Sequence, residues 1–243
     1  MSPRDSALML GCAVKGCNRI YNNLLDKVDE FVRCEQKHIV LKGQCEADGV
    51  YPRSFRNRQG KLVHLRAWGA MRRGDPTSVV LYPLKEKPID KDSGGSPPPC
   101  EISEIAPLMK AHLPAGSNHR VDVYHSDGER VYERLPKHMT FSKKQFSTMV
   151  KHTPTKGSDG RRHIEFTALR KFKLPSGKSL LVWGGTQAAD GRWAHLRKAL
   201  PRCLRLRKQS ERAVLWKYAR LWQWKAWNSK KPMWTCLGQL LSA

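Results

Sequence analysis

Residues 121–135 read VDVYHSDGERVYERL. The segment starts as a strand, because Val121, Val123 and His125 alternate with Asp122, Tyr124 and Ser126. Ser-Asp-Gly then signals a turn. Beyond it Val131 and Leu135 lie four apart, with Tyr132 beside them, which is helical spacing. Asp127 therefore stands where a strand ends and a helix begins. In α/β folds, catalytic and ligand-binding groups collect at the carboxyl ends of strands. A lone acid in such a turn is equally an N-cap residue, so its meaning depends on acids elsewhere in the chain.

Toward the C-terminus, FSTMVKHTP (146–154) reads as a further strand. Residues 161–184, RRHIEFTALRKFKL, PSG and KSLLVWG, read as a β-hairpin around the Pro-Ser-Gly turn. From Gln187 the pattern is helical, first QAADGRWAHLRKALPRCLRL and then SERAVLWKYARLWQWKAW. Toward the N-terminus, CEISEIAPLMKAHL (100–113) is a helix despite Pro107, because Ile102, Ile105, Leu108, Met109 and His112 share a face. A Pro/Gly/Ser-rich loop (85–100) precedes it. SVVLYPL (78–84), KLVHLRAWGAM (61–71) and HIVLKGQCEADGV (38–50) are strands, the last carrying Glu46 and Asp48 at its end. Residues 7–36 are helical, with Leu8, Leu10, Val14, Ile20, Leu24, Leu25, Val28, Phe31 and Val32 at threes and fours and with Gly11 and Gly16 as breaks.

The order is strand, strand, strand, helix, strand, short helix, strand, inserted hairpin, helix. Short turns join the first three strands as an antiparallel meander, and the later strands need crossovers. The expected class is α/β: an RNase H-like mixed sheet, three antiparallel strands then parallel ones, flanked by helices and carrying the hairpin insertion.

Charge narrows the partners. Forty-five Lys and Arg stand against 21 Asp and Glu, a net charge of +24. A chain this basic repels itself unless something anionic lies against it. Nucleic acid is the expected partner. An acidic membrane surface fits less well, because the aromatics look core-forming. Hydrophobic content of 40% with eight Trp excludes a disordered chain. No run approaches the roughly 18 apolar residues of a membrane span, and no signal peptide is expected at the N-terminus. Seven scattered cysteines suggest reduced thiols inside a cell: the nucleus of a eukaryote, or the cytoplasm and nucleoid of a bacterium. Cys12 and Cys17 are spaced too widely for the tight pair of a zinc ribbon, so no zinc is expected. No G-x-S-x-G, P-loop or H-E-x-x-H motif is present.

Three acids occupy matching places in this order. Asp48 ends the first strand, Asp127 ends the fourth, and Asp190 opens the helix ADGRWAHLRKAL. A nuclease on such a sheet needs carboxylates there, because two divalent cations about 3.5–4 Å apart clamp the attacking and leaving oxygens of a phosphodiester. Mg²⁺ takes oxygen ligands from one or two carboxylates and fills its shell with water and phosphate. Glu46 would share a sheet face with Asp48 and is the alternative ligand. Asp190 taken alone is equally a first-turn acid favoured by the helix dipole.

Together QCEADGV, YHSDGERVYERL and GTQAADGRWAHLRKAL resemble the three catalytic blocks of DDE-type transposases of the insertion-sequence class. In that family an acidic block ends the first strand and a Ser/Thr-Asp-Gly-x-x-x-Tyr block ends the fourth. An acid followed closely by Trp and a basic helix supplies the third ligand. The likeness covers roughly residues 38–240. It implies an RNase H-like catalytic domain over 38–208, with the hairpin insertion at about 161–184. It further implies an aromatic-basic C-terminal helix, 209–243, packed on that domain. A helical segment, 1–37, would remain from a helix-turn-helix and linker in an N-terminally truncated chain. The resemblance implies Asp48, Asp127 and Asp190 as ligands of two Mg²⁺ or Mn²⁺ ions. Double-stranded DNA would be the substrate, bound by a homodimer or higher assembly on transposon ends, with hydrolysis followed by strand transfer. Relatives often carry Glu or Asn where this chain has Asp190. A decayed or repurposed copy that binds DNA or RNA without cutting would share the charge and the fold.

Arg192, Arg197, Lys198, Arg202, Arg205, Arg207 and Lys208 follow Asp190, with no acid among residues 191–209. Such a run on one helix is expected either to track phosphates or to form a solvated face. The hairpin adds Arg161, Arg162, Arg170, Lys171 and Lys173, suited to a DNA groove. His195 is a candidate to orient a phosphate or water. Trp216, Tyr218, Trp222, Trp224 and Trp227 can be read as base-stacking residues, but their helical spacing favours core packing.

Overall fold

The computed structural model describes residues 3–89, 97–113, 122–127, 129–137, 145–150, 154–156, 158 and 160–242. QCEADGV forms strand β1 (Gln44–Val50), followed by a three-residue strand β2 (Ser54–Arg56) too short to show an alternation. β3 (Leu62–Arg72) pairs antiparallel with both, setting Gly69 opposite Asp48 and Val63 opposite Phe55. β4 (Val80–Pro88) runs antiparallel along the other edge of β3. β5 (Asp122–Asp127) pairs parallel with β1, and β6 (Gln145–Val150) parallel with β5. The sheet is therefore mixed, a meander followed by parallel crossovers, as the sequence order predicts. Val121, the expected first residue of β5, lies outside the described residues. β5 is buried on both faces from Asp122 to Ser126, despite its polar residues. A central parallel strand is covered on both sides; some of its polar groups find partners inside, while the Ser126 hydroxyl and His125 Nε2 find none among the described residues. Asp122 accepts a hydrogen bond from the Gly43 N–H (2.7 Å), and His125 Nδ1 bonds Thr148 Oγ1 (2.9 Å).

Residues 161–184 do not form one hairpin. β7 (Pro154–Lys156) pairs with β8 (Arg162–Ile164), and β9 (Ala168–Lys173) pairs with β10 (Ser179–Gly184). The first strand of the expected hairpin is split, because RRHI turns back on residues upstream of it. The Pro-Ser-Gly turn is real, with Gly177 at φ 80°. Phe172 stacks on Phe146 at 4.8 Å and seats this ribbon on β6.

Helix α1 (Pro3–Leu10) ends at Gly11, whose φ of 60° breaks it from α2 (Val14–Glu35). Gly16 lies inside α2 and breaks nothing. Leu8, Leu10 and Ile20 are exposed rather than on the packed face; the buried stripe of α2 is Cys17, Leu25, Val28 and Val32. α3 (Ile102–His112) starts at a reciprocal cap between Glu101 and Glu104 and covers one face of the sheet, over Cys45, Ala47, Trp68, Ala70 and Tyr124. A short helix, α4 (Arg130–Arg134), follows β5. α5 (Gln187–Ala199) and α6 (Gln209–Trp227) cover the other face, over Val50, Leu65, Ala67, Met71 and Leu81. α7 (Met233–Ser242) and α2 enclose Trp224. α5 stops at Ala199, not beyond Leu204 as its pattern suggests. Pro201 lacks an N–H and disfavours helical backbone before it, and Leu200 is extended at ψ 135°. Arg202, Arg205, Arg207 and Lys208 therefore lie on a loop. The aromatics of α6 pack inward: Trp216, Tyr218, Trp222 and Trp227, partly buried, lie against the α5–α6 cluster, whereas Trp234 of the last helix is exposed. Among the described residues no helix is long and apolar enough to cross a membrane.

Candidate functional site

Glu46 of β1 is in register with His125 of β5. Two residues further along each parallel strand, on the same face, stand Asp48 and Asp127. That face is the one covered by α5. Asp48 is 7% exposed, Asp127 half-buried and Asp190 exposed. Burial raises the Asp48 pKa well above the usual carboxylate range. The charges of Asp127 and Asp190 push it the same way, the Gly49 N–H opposes them, and Glu129 adds to the rise. Asp127 and Asp190, far from Asp48 in sequence, are thus close enough for their charges to act on it.

Two devices hold Asp190 over β1. The first is Glu46, which is 2% exposed. One of its oxygens accepts from the Ala189 N–H (2.7 Å) and the other from Arg73 Nε (2.6 Å). Arg73 also donates to the carbonyls of Trp183 and Gly185 (2.6 Å to the latter), tying the β10–α5 connection to the sheet. Both Glu46 oxygens are engaged in this clamp, which leaves Asp48 as the member of the pair facing Asp127. The second device is Gly69. With no side chain there, the Trp193 ring lies directly on β3, beside Asp48.

Glu129 is a fourth acid, missed because an acid just after a turn reads as a helix-start residue. Its N–H donates to Asp127 Oδ1 (3.1 Å) and its Oε1 accepts from the Cys100 N–H (2.7 Å). Burial raises its pKa, the Cys100 N–H bond pulls it back, and Asp127 adds to the rise. The only sequence signal was its spacing, two residues beyond Asp127. Tyr132 is buried in the same place, and its hydroxyl makes no hydrogen bond among the described residues. Its pKa is raised well above the usual phenol value, first by burial and then by Asp48.

His195 is not part of this cluster. It is exposed and, five residues on from Asp190, lies about 140° round the helix. Arg197, Lys198, Arg202 and Arg205 are exposed, and Arg192 is half-buried. Arg161 and Lys171 are exposed on the two ribbons, while the Arg162 side chain lies outside the described residues. Cys45 sits on the opposite sheet face from Asp48, and burial pushes its thiol up to about 12, which removes it as a nucleophile. All seven cysteines are free thiols. Among the described residues no three His, Cys, Asp or Glu side chains are arranged as a metal-ion site. Comparison with protein-family models, with curated proteins and with solved structures finds no match to this chain.

Proposed function

We propose that the chain is a metal-dependent DNA nuclease and strand transferase of the DDE type, a transposase on an RNase H-like domain. Asp48 carries the reading: a buried carboxylate whose pKa is raised by burial and then by Asp127 and Asp190, at the carboxyl ends of two parallel strands. A sheet that runs antiparallel and then parallel from β1 supports the fold. The donor set suits the ions, since hard divalent cations take carboxylate oxygens and positive charge relieves the repulsion among these acids. Asp48, Asp127 and Asp190 would hold two Mg²⁺ or Mn²⁺. When bound, such ions stabilise charge on the phosphoryl oxygens and make water more acidic.

The remaining work belongs to the chain. The Glu129 N–H fixes the rotamer of Asp127. The Glu46–Arg73 clamp and Trp193 hold the start of α5. Exposed Arg and Lys side chains bind phosphates and set the register of the duplex without reading its sequence. Hydrolysis at an element end frees a 3′-hydroxyl, and the same pocket presents that hydroxyl to target DNA. The test is nicking of supercoiled plasmid with Mn²⁺ or Mg²⁺. Asp127→Ala abolishes nicking and retains duplex binding; equal nicking by both proteins refutes the proposal.

A non-cutting DNA- or RNA-binding role is the second reading. It is favoured by the lack, among the described residues, of three side chains arranged as an ion site. Calorimetry separates the two, because a non-cutting protein gives no Mn²⁺ heat that depends on Asp48.

A further inference from the structure

Two grooves meet at Phe55, on the side of the molecule where β2 approaches the loop after α5. One, about 530 Å³, is lined by Arg56, Arg205, Arg207 and Lys208. The other, about 810 Å³, shares Phe55, Arg207 and Lys208 and continues past Arg58 to the start of α6. Of the residues lining the two, Glu86 is the one acid, and it is paired with Arg212 (2.7 Å). Arg56, Arg58, Arg205, Arg207 and Lys208 are exposed. The channel is therefore cationic on both walls.

Those walls come from segments about 150 residues apart in sequence, joined deliberately. Arg53 donates from one wall to the Pro201 carbonyl (2.6 Å) and the Arg202 carbonyl (3.2 Å) on the other. Phe55 forms the floor, packed on the α5–α6 core with Arg212 stacked on its ring at 5.1 Å. Holding five like charges along one channel disfavours folding, and no packing need explains it. Guanidinium forks are matched to phosphate oxygens, and two merging grooves are longer than one phosphate requires.

We infer that this channel holds the backbone of double-stranded DNA flanking the point of cutting. The inference rests on the DNA-cutting reading for its substrate and extends it to residues outside the acidic cluster and outside α5. Arg53 anchors the channel just beyond the C-terminal end of α5, whereas Asp190 lies in its first turn. From Asp190 to Ala199 is about 14 Å at a rise of about 1.5 Å per residue. A duplex lying along α5 would thus meet the channel about four base pairs from the carboxylates, at about 3.4 Å per step.

The test is duplex binding by fluorescence anisotropy without divalent cations, between 50 and 200 mM salt on the order of the range where phosphate contacts dominate. The groove variant is Arg58→Ala/Arg207→Ala/Lys208→Ala. The charge-matched control is Lys27→Ala/Lys42→Ala/Lys110→Ala, three exposed lysines on other surfaces. Loss of three phosphate contacts lowers the slope of log K against log salt by about 2.7, at about 0.9 per contact. The control leaves the slope unchanged, and melting curves confirm that both variants fold. An unchanged slope in the groove variant, or an equal fall in both, overturns the groove while DNA binding stands. A wild-type chain that binds no duplex overturns the DNA reading and the groove with it.

Discussion

Replacing Gly69 by Ala forces α5 away from the sheet. A Cβ at that position would lie 2.3 Å from Trp193 Cη2 and 2.6 Å from Cζ2. Carbon atoms settle at about 3.5–4.0 Å, so the ring must retreat by about 1.2–1.7 Å. It has little room, being 1% exposed and backed by Trp222 with centroids 6.3 Å apart. A rigid ring cannot bend away as a lysine tip would, so the helix moves with it. Overpacking of this kind costs about 1–3 kcal/mol. At about 2–4 °C per kcal/mol for a chain of this size, Tm falls by about 2–12 °C. Asp190 lies three residues before Trp193 on α5, so the same displacement separates it from Asp48. Thermal unfolding followed by circular dichroism and plasmid nicking should therefore fall together. Trp193→Phe removes part of the clashing ring, and the double variant should recover stability with a coupling above about 0.5 kcal/mol. An unchanged Tm in Gly69→Ala, or strict additivity in the double variant, refutes the proposed seat of α5.

Asp48→Asn should stabilise the protein at neutral pH while abolishing nicking. The folded pKa of Asp48 is raised, so the native state binds its proton more tightly than the unfolded chain does, and its contribution to stability falls as pH rises above the ordinary carboxylate value of 3.8. The Tm gain of the variant should therefore vanish below the ordinary value and grow as pH rises above it toward the raised folded value; a gain independent of pH contradicts this. Glu46→Gln should do the reverse, lowering Tm while preserving the calorimetric heat of Mn²⁺ binding, because Glu46 is a clamp. Loss of that heat with unchanged Tm would make Glu46 the ligand. Arg73→Ala leaves Glu46 buried with half its partners and should cost about 3 kcal/mol, the lower end for a broken buried pair, since Arg73 is 23% exposed. An unchanged unfolding curve would show that the pair holds nothing.

The strand order was legible because β1, β3 and β4 are strands of five or more residues that follow one another without an intervening helix of four residues or more, and β5 ends at an unmistakable Asp-Gly. Once β1 and β5 are neighbours, Asp48 and Asp127 must approach if both point to one face. Which of Glu46 and Asp48 is the free acid was not legible. They share that face, and Arg73, 27 residues away in sequence, decides between them. Glu129 was hidden for a similar reason, since its partner is the Cys100 N–H at the far end of a loop. The end of α5 was written in Pro201, but the continuing run of Arg and Lys gives the same pattern on a loop as on a helix. The ribbon was misdrawn because RRHI can pair on either side, and local alternation does not say which.

The other buried acids show what is unusual about Asp48. Glu46 is matched by Arg73 and an N–H, and Asp122 by the Gly43 N–H; even half-buried Glu104 has Arg66 at 3.0 Å. Each is a carboxylate brought inside with its donors, as burial of charge requires. Asp48 is brought inside toward Asp127, Asp190 and Glu129, and the group that draws its pKa down is a backbone N–H, not a cation. In a chain with 45 basic residues, a Lys or Arg partner at that point was readily supplied. Packing does not require the charge either, since Asn has the same shape. A protein keeps a destabilising charge where activity depends on it. The repulsion is removed by a proton or by a cation from outside the chain, and under the proposed function, at neutral pH beside DNA, the cation is the one that serves. That is why Asp48→Asn should raise stability and lose the Mn²⁺ heat, whereas Glu46→Gln, two residues away on the same strand, should lower stability and keep it.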